Sequence, residues 1–392
     1  MGAFLKYSFL SLLGFLLLAP NLRTIFKYAN SFAPLFFLAY VVLFAFVTHV
    51  LVLGKSQCVK RIVGNWWYVL FVIAAISLVV MVGYPIADGL KVQMRGSDQD
   101  DCVIMGVNKI VELNHPYLEK SYGGNPCSPG MGMLLLYMPF VVVNFYHMGA
   151  IFYAAIAAIA IKIRTGSLYS ATAFLTLLFG SLFVVELLVV GSDLFLIGCG
   201  FVLLALMVEY SLLSRNIWIL FSAGVLCGLL ASTRVNFLVV VPVIAFFIFM
   251  HWKSGAIFFG ALALLVAIVP SGYVYFLDPS HFTPFHLLGK KFLAFQGLKE
   301  LGAFVSVAFF LIAAYMVKRS VNFVPIALLI SLSPSLMAVA LADLLYVHWD
   351  FSAWEGANYL LPIIPLAVYA LVVNSPDSVH SEKKLPRDLD NL

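Results

Sequence analysis

The sequence predicts an all-α polytopic membrane protein, and two observations carry that prediction. Of its 392 residues, 63% are hydrophobic and only 10% are charged, and the mean hydropathy is +1.03. A helix that crosses a bilayer needs about 20 mostly apolar residues, and segments of that kind recur along the chain. The composition therefore excludes a soluble domain of useful size.

Twelve apolar segments are predicted to cross the membrane as helices. They lie at 2–20, 31–53, 66–84, 147–163, 168–189, 193–213, 216–231, 235–250, 255–276, 301–317, 322–345 and 358–373. Several links between them are short and basic, which is typical of the cytoplasmic side. This orientation places the long polar segment 85–130 on the extracytoplasmic face.

The chain divides into four parts by this pattern. Two extra spans and a basic link occupy 1–65, a core with the outer loop 85–146 occupies 66–276, a second outer loop and the last spans occupy 277–373, and a polar tail follows at 374–392. The apolar stretch 131–145 is only about 22 Å long as a helix. We expect it to be re-entrant or to lie on the outer surface.

The polar segment contains an acidic cluster, Asp98, Asp100 and Asp101. A long loop with clustered acids at a membrane surface indicates a reaction site, since a simple connection between spans can be short. The alternative is that these acids cap a short amphipathic helix predicted over 103–113. That alternative suits Asp101 best.

Two cysteines, Cys102 and Cys127, share the same segment. On an oxidising face they could form a disulfide that closes the loop and adds about 3 kcal/mol of stability. Two reduced thiols are the equal alternative. The sequence leaves both open.

Three cations on this face are candidates to bind an anionic group: Arg234, Lys290 and Lys291. Arginine grips a phosphate with two donors, and lysine acts as a point charge. The alternatives are a snorkelling arginine at the membrane rim and a lysine pair that contacts water or lipid headgroups.

Four further residues near outer span ends are candidate site residues: Glu186, Asp193, His348 and Trp354. A helix cap explains Asp193 nearly as well, and tryptophan is common at membrane rims for interfacial reasons. His348 and Asp350 are close in sequence. Because no third ligand accompanies them, no metal site is assigned to this pair.

Several motifs resemble those of the GT-C superfamily of integral-membrane glycosyltransferases. The acidic cluster precedes NHPY at 114–117 and SPGMGMLLLYMPF at 128–140, and LLASTR at 229–234 and NYLLP at 358–362 follow. The resemblance covers about residues 66–373. It departs from the superfamily pattern at Asn114 for glycine, Val235 for proline and Asn358 for arginine.

This resemblance implies that a sugar moves from a polyprenyl-phosphate donor to a glycan or glycolipid acceptor, with inversion. One aspartate then acts as general base, with Asp100 the first candidate before Asp101 and Asp98, and the cations named above bind the phosphate. The four residues near outer span ends, Glu186, Asp193, His348 and Trp354, would bind the acceptor or its sugar. No organic cofactor is implied, and a divalent metal ion is an option. The expected location is a bacterial cytoplasmic membrane with the site outside, and no nucleic-acid partner is expected.

Two other functions remain open on the sequence. A lipid transporter or flippase would also have many spans, but transporters tend to place charges at mid-membrane and to show inverted repeats. A glycan polymerase would use a lipid-diphosphate donor on the same face, with more arginine in its outer loops. The collection of acids at one face favours the glycosyltransferase.

Overall fold

The computed structural model describes residues 12–53, 56–93, 98–284 and 296–373, and these are almost entirely helical. The α-helices, in chain order, are α1 (Pro20–Ala29), α2 (Ala33–Thr48), α3 (Gln57–Val63), α4 (Trp66–Gly89), α5 (Asp101–Val111), α6 (Met131–Val142), α7 (Tyr146–Thr165), α8 (Leu168–Phe179), α9 (Leu182–Val189), α10 (Leu194–Ser214), α11 (Ile217–Ala231), α12 (Val240–Phe249), α13 (Lys253–Leu277), α14 (Gln296–Arg319), α15 (Val324–Tyr346) and α16 (Ile364–Val373). The protein is thus an all-α polytopic membrane protein.

Eight helical segments of the described residues are long and apolar enough to cross a membrane. They are Leu12–Val52, Trp66–Gly89, Tyr146–Thr165, Leu194–Ser214, Lys253–Leu277, Glu300–Arg319, Val321–Tyr346 and Glu355–Val373. The pair α8 and α9, bent by 73°, is a ninth if it forms one span, and three further apolar helices are shorter. The twelve predicted crossings therefore stay a prediction.

One end of the helix bundle collects cations, and we call it the basic pole, defined by Lys162, Arg215, Lys253 and Arg319. Arg215, which ends α10, donates a hydrogen bond to the backbone oxygen of His251 beyond α12. Lys162 lies over the ring of Trp66 at the start of α4. Because the contact of Arg215 with His251 joins the start of α11 to the end of α12, these two helices form an antiparallel hairpin.

The opposite end collects carboxylates, and we call it the acidic pole, defined by Asp88, Asp100, Asp193 and Asp343. Here α4, α11 and α13 end and α7 and α10 begin. The connection between α11 and α12 contacts the start of α10 through Arg234 and Asp193. The acidic segment and both candidate cavities described below adjoin this pole.

Helix α6 has both of its ends at the acidic pole. The amide of Gly130, just before α6, donates to the backbone oxygen of Thr233 at 2.8 Å. After α6, the hydroxyl of Tyr146 donates to the backbone oxygen of Gly191. Gly132 packs so tightly that an added Cβ would come 1.9 Å from the backbone oxygen of Leu229. This contact explains why glycine occupies position 132 at the start of α6.

The first helices fold against this core. Asn30 has a left-handed φ of 46° and separates α1 from α2. Helix α1 packs on the 3₁₀ segment Phe351–Ala353 and on α9. The buried carboxylate of Glu186 accepts hydrogen bonds there from Arg23 and Lys27 of α1. The N-terminal part is therefore fastened to the acidic pole by charge as well as by apolar contact.

Candidate functional site

The acidic segment leads into α5, which begins at Asp101, two residues before the predicted start. Asp100 immediately precedes this helix, but its side chain caps no backbone N–H. Its carboxylate instead accepts hydrogen bonds from the hydroxyl of Tyr84 on α4 and the ammonium of Lys91. The side chain of Asp100 is only 1% exposed. The capping alternative therefore does not explain Asp100.

Lys91 joins three carboxylates at this point. Its Nζ lies 2.5 Å from an oxygen of Asp88, 2.7 Å from one of Asp100 and 2.5 Å from one of Asp101. Burial alone would lower the pKa of Lys91, but these hydrogen bonds raise it above its ordinary value. For Asp100, burial raises the pKa, and the bonds from Lys91 and Tyr84 oppose that rise.

Asp98 has different surroundings from its two neighbours. Its carboxylate accepts from the hydroxyl of Ser121 at 2.5 Å and from the side-chain amide of Asn125 at 3.3 Å. Asp101 also contacts this stretch, because its second oxygen accepts from the amide of Tyr122. Asp98 therefore organises the loop after α5, while Asp100 and Asp101 face Lys91.

Cys102 and Cys127 form a disulfide, the first of the two alternatives that the sequence left open. Their Cα atoms are 5.1 Å apart across 25 positions of sequence. The bond ties the first turn of α5 to the residues that lead into α6. Ser128, next to the bond, contacts Arg234. The disulfide thus connects the acidic segment to the second polar group.

That second polar group is formed by Arg234, Asp193 and Ser128. Arg234 donates from one guanidinium nitrogen to Asp193 at 2.5 Å and from another to the hydroxyl of Ser128. Asp193 is buried, and its side chain makes no hydrogen bond to the helix that follows it. The helix-cap alternative is therefore not realised, and the ion pair takes its place.

The two polar groups are neighbours through the turn at Gly191. Gly191 has a left-handed φ of 75°, and an added Cβ would lie 2.8 Å from the ring of Tyr84 and 3.0 Å from Cβ of Asp100. Only glycine fits this close approach without strain. Since Asp193 follows two residues later, the turn at Gly191 connects the ion pair of Arg234 to the residues that surround Asp100.

A cavity of about 300 Å³ opens beside Arg234. Its walls are largely apolar and come from the ends of α11 and α13 and from the loop after α13. The residues that matter for its chemistry are Arg234, Ser232, Tyr275 and Phe282. Such a cavity suits a molecule with a hydrocarbon part and an anionic end.

A second cavity of about 750 Å³ lies between the start of α12 and helices α14 and α15. It is lined mainly by apolar side chains, with Asn236 and the hydroxyl groups of Ser306 and Ser335 among them. Asn236 is only two residues from Arg234. The two cavities therefore flank the 3₁₀ segment Val235–Val239.

Two predicted acceptor residues have packing roles. The oxygens of Glu186 already accept from Arg23, Thr24 and Lys27, which fasten α1. Trp354 is buried, and its indole N–H donates to the backbone oxygen of Ala340 at 2.7 Å. Both side chains are buried and hydrogen-bonded within the protein, and a role in acceptor binding stays a prediction for each.

Of the remaining predicted residues, the structure describes His348, which makes no contact with this site. His348 is exposed in a turn after α15 with a φ of 53°, and Asp350 accepts from the amide of Ser352 at the start of the 3₁₀ segment Phe351–Ala353. They form no metal-binding pair in the part of the chain that the structure describes. Lys290 and Lys291 lie outside the described residues.

Three residues of the cluster were missed by the sequence reasoning: Tyr84, Asp88 and Lys91. A signal for them exists, because spacings of four and then three positions place them on one face of a helix that continues past Gly89. The prediction instead ended the span at Tyr84 and treated what followed as loop. The prediction therefore did not pair Asp100 and Asp101 with Lys91.

Comparison with known proteins finds no matching family model, no matching curated protein and no matching solved structure. The chemistry of the site therefore has to be argued from the residues themselves.

Proposed function

We propose that this protein is an integral-membrane glycosyltransferase that moves a sugar from a polyprenyl-phosphate donor to a hydroxyl group of a glycan or glycolipid. One observation carries the proposal. The guanidinium of Arg234 lines an apolar cavity and binds Asp193, which follows the turn at Gly191 that packs against the buried Asp100. A candidate proton acceptor and a candidate phosphate-binding cation thus lie at the same pole of a membrane protein.

The donor end of the reaction rests on Arg234. Its guanidinium has five N–H donors, and Asp193 and Ser128 hold it in place through two of its nitrogens. An arginine held in this way can present its remaining donors to a phosphate. The apolar walls of the adjoining cavity suit the hydrocarbon chain next to that phosphate.

The acceptor end rests on Asp100. As the acceptor oxygen attacks the anomeric carbon, its proton passes to the carboxylate of Asp100. The bond between that carbon and the phosphate oxygen breaks, and the lipid phosphate leaves with the electron pair beside Arg234. Attack from the side opposite the leaving group inverts the configuration, and no acid is needed because phosphate is a good leaving group.

Asp100 keeps capacity for this role despite its two partners. A carboxylate offers about four lone-pair positions, and Tyr84 and Lys91 use two of them. Asp101 is the second candidate base, since it also contacts Lys91 and is more exposed than Asp100. In this proposal the sugar transfer takes place at the extracytoplasmic face of the membrane.

The test is sugar transfer from a panel of labelled polyprenyl-phosphate sugars by purified protein in lipid nanodiscs. We expect Asp100→Asn to lower transfer by about 10²–10⁴-fold, the usual contribution of a general base. Asp101→Asn and Asp98→Asn separate the alternatives, and Asp350→Asn, in an exposed turn, is the matched control. Product analysis should show the inverted anomer.

The opposite result is equally definite. If no donor is consumed, while labelled lipid crosses the bilayer equally in the wild type and all four variants, the glycosyltransferase proposal fails. A lipid transporter or flippase then takes its place. Consumption of lipid-diphosphate donors alone would indicate the glycan polymerase.

A further inference from the structure

Lys91 occupies the centre of an arrangement that resembles a cation site. Asp88, Asp100 and Asp101 each offer one oxygen, and these three oxygens lie within 4.8 Å of one another. That spacing would allow one divalent cation to contact all three. The ammonium of Lys91 is already there, at 2.5 to 2.7 Å from each.

The number of N–H donors on this ammonium equals the number of carboxylates around it. An ammonium group has three N–H donors, and here each points to a different carboxylate. The side chain is only 10% exposed, so bulk water does little to replace these bonds. Lys91 reaches the position from the 3₁₀ segment Leu90–Gln93, which continues α4 directly. The backbone after α4 thus positions the ammonium of Lys91 between the three carboxylates.

We propose that Lys91 is a built-in cation that stands where a divalent metal ion would otherwise bind, and that it holds the carboxylate of Asp100 in position. The charge-compensating part of this inference is independent of any reaction. Its consequence for catalysis rests on the proposed function, in which Asp100 is the general base and Lys91 is a positioning residue.

The charges explain what removal of Lys91 should do. Three carboxylates and one ammonium leave a cluster charge of −2, whereas three carboxylates alone would carry −3 around one point. Among the described neighbours, Tyr84 donates a hydrogen bond to Asp100, His147 stacks on the ring of Tyr84, and Asp193 is paired with Arg234. Removal of the ammonium therefore leaves three carboxylate oxygens at a spacing that a divalent cation can occupy in its place.

The experiment is a Mn²⁺ titration of the full-length protein in nanodiscs, with free Mn²⁺ measured by electron paramagnetic resonance. We expect the wild type to bind no Mn²⁺ at this cluster and Lys91→Ala to gain one site. The gained site should disappear when Asp101→Asn is added. Lys109→Ala, which removes a partly exposed lysine from its pairs with Glu112 and Glu119, is the matched control and should gain none.

Two outcomes would overturn the inference. If the wild type binds Mn²⁺ and loses it on Asp101→Asn, the cluster holds a resident metal, and this measurement needs no Lys91 variant to fold. If folded Lys91→Ala, checked by its thermal transition, gains no Mn²⁺ site, the ammonium does not stand in for a metal.

Transfer activity gives a separate readout. We expect wild-type transfer to be insensitive to a chelator, and Lys91→Ala to lose at least 10-fold and to recover with Mn²⁺. A merely structural lysine would show no such recovery. If the wild type transfers no sugar at all, the proposed function fails, while the Mn²⁺ result still decides the role of Lys91.

Discussion

The attachment of α1 to the core makes a quantitative prediction for Glu186→Gln. The carboxylate of Glu186 is 5% exposed and accepts from Arg23, which is 8% exposed, at 2.8 Å. Removing one partner of a buried ion pair costs about 3–5 kcal/mol, because the other charge is left uncompensated. Lys27 is 39% exposed, so its share is screened and adds at most about 0.5 kcal/mol.

Glutamine keeps one carbonyl acceptor for Thr24, so we take the lower end of this range, about 3 kcal/mol. Each 1.4 kcal/mol is a factor of ten, so the opening equilibrium of α1 should rise by roughly 10²-fold. Hydrogen exchange reports such local opening directly. We therefore expect amides of Pro20–Ala29 to lose roughly that much protection while those of α10 keep theirs.

The assay is hydrogen exchange followed by mass spectrometry on protein in nanodiscs. Glu112→Gln is the control, since Glu112 is exposed and its pair with Lys109 at 3.3 Å lies at the surface. Unchanged protection of α1 in Glu186→Gln would refute the reasoning, because it would show that apolar packing alone holds this helix. A uniform loss across the protein would show that the pair stabilises the whole fold instead.

Three further predictions concern the site. Arg234→Met should lower transfer by about 10²–10³-fold, and Arg234→Lys should restore only part of it, because lysine keeps the charge without the two-donor grip. The acid limb of the pH–rate profile should lie above about 4, the ordinary pKa of aspartate, since burial raises the pKa of Asp100 and activity is lost as the pH falls through that value. In Lys91→Met this limb should move higher still. Replacing both Cys102 and Cys127 by serine should lower stability by about 3 kcal/mol in thermal unfolding, and a reductant should then have no further effect.

The sequence predicted the fold class and the positions of most helices, because composition and apolar run length carry that information. It could not predict the 73° bend between α8 and α9, which it took as one span at 168–189. The break falls at Gly180 and Ser181, where a small residue and a side-chain cap start a new helix. Those residue types also occur inside uninterrupted spans, so the pattern alone does not mark the bend.

Within the site, the sequence indicated Asp100, Asp101 and Arg234 but not their partners. The ion pair of Arg234 and Asp193 joins residues 41 positions apart, and only tertiary packing brings them together. The burial of Trp354 could not be predicted either, since a tryptophan at a rim and a tryptophan buried under a loop have the same local pattern. The sequence pattern therefore predicted which segments are polar, whereas the partners of each side chain depend on tertiary contacts.

The charge balance of the buried groups distinguishes Asp100 from the carboxylates of Glu186 and Asp193. Glu186 faces two cations, Arg23 and Lys27, so that group carries a charge of +1, and its oxygens are used in fastening a helix. The pair of Asp193 and Arg234 is neutral. The cluster around Lys91 carries −2, because three carboxylates share one ammonium. A carboxylate in an undercompensated cluster has the greatest tendency to accept a proton, and the cation that limits this tendency is Lys91.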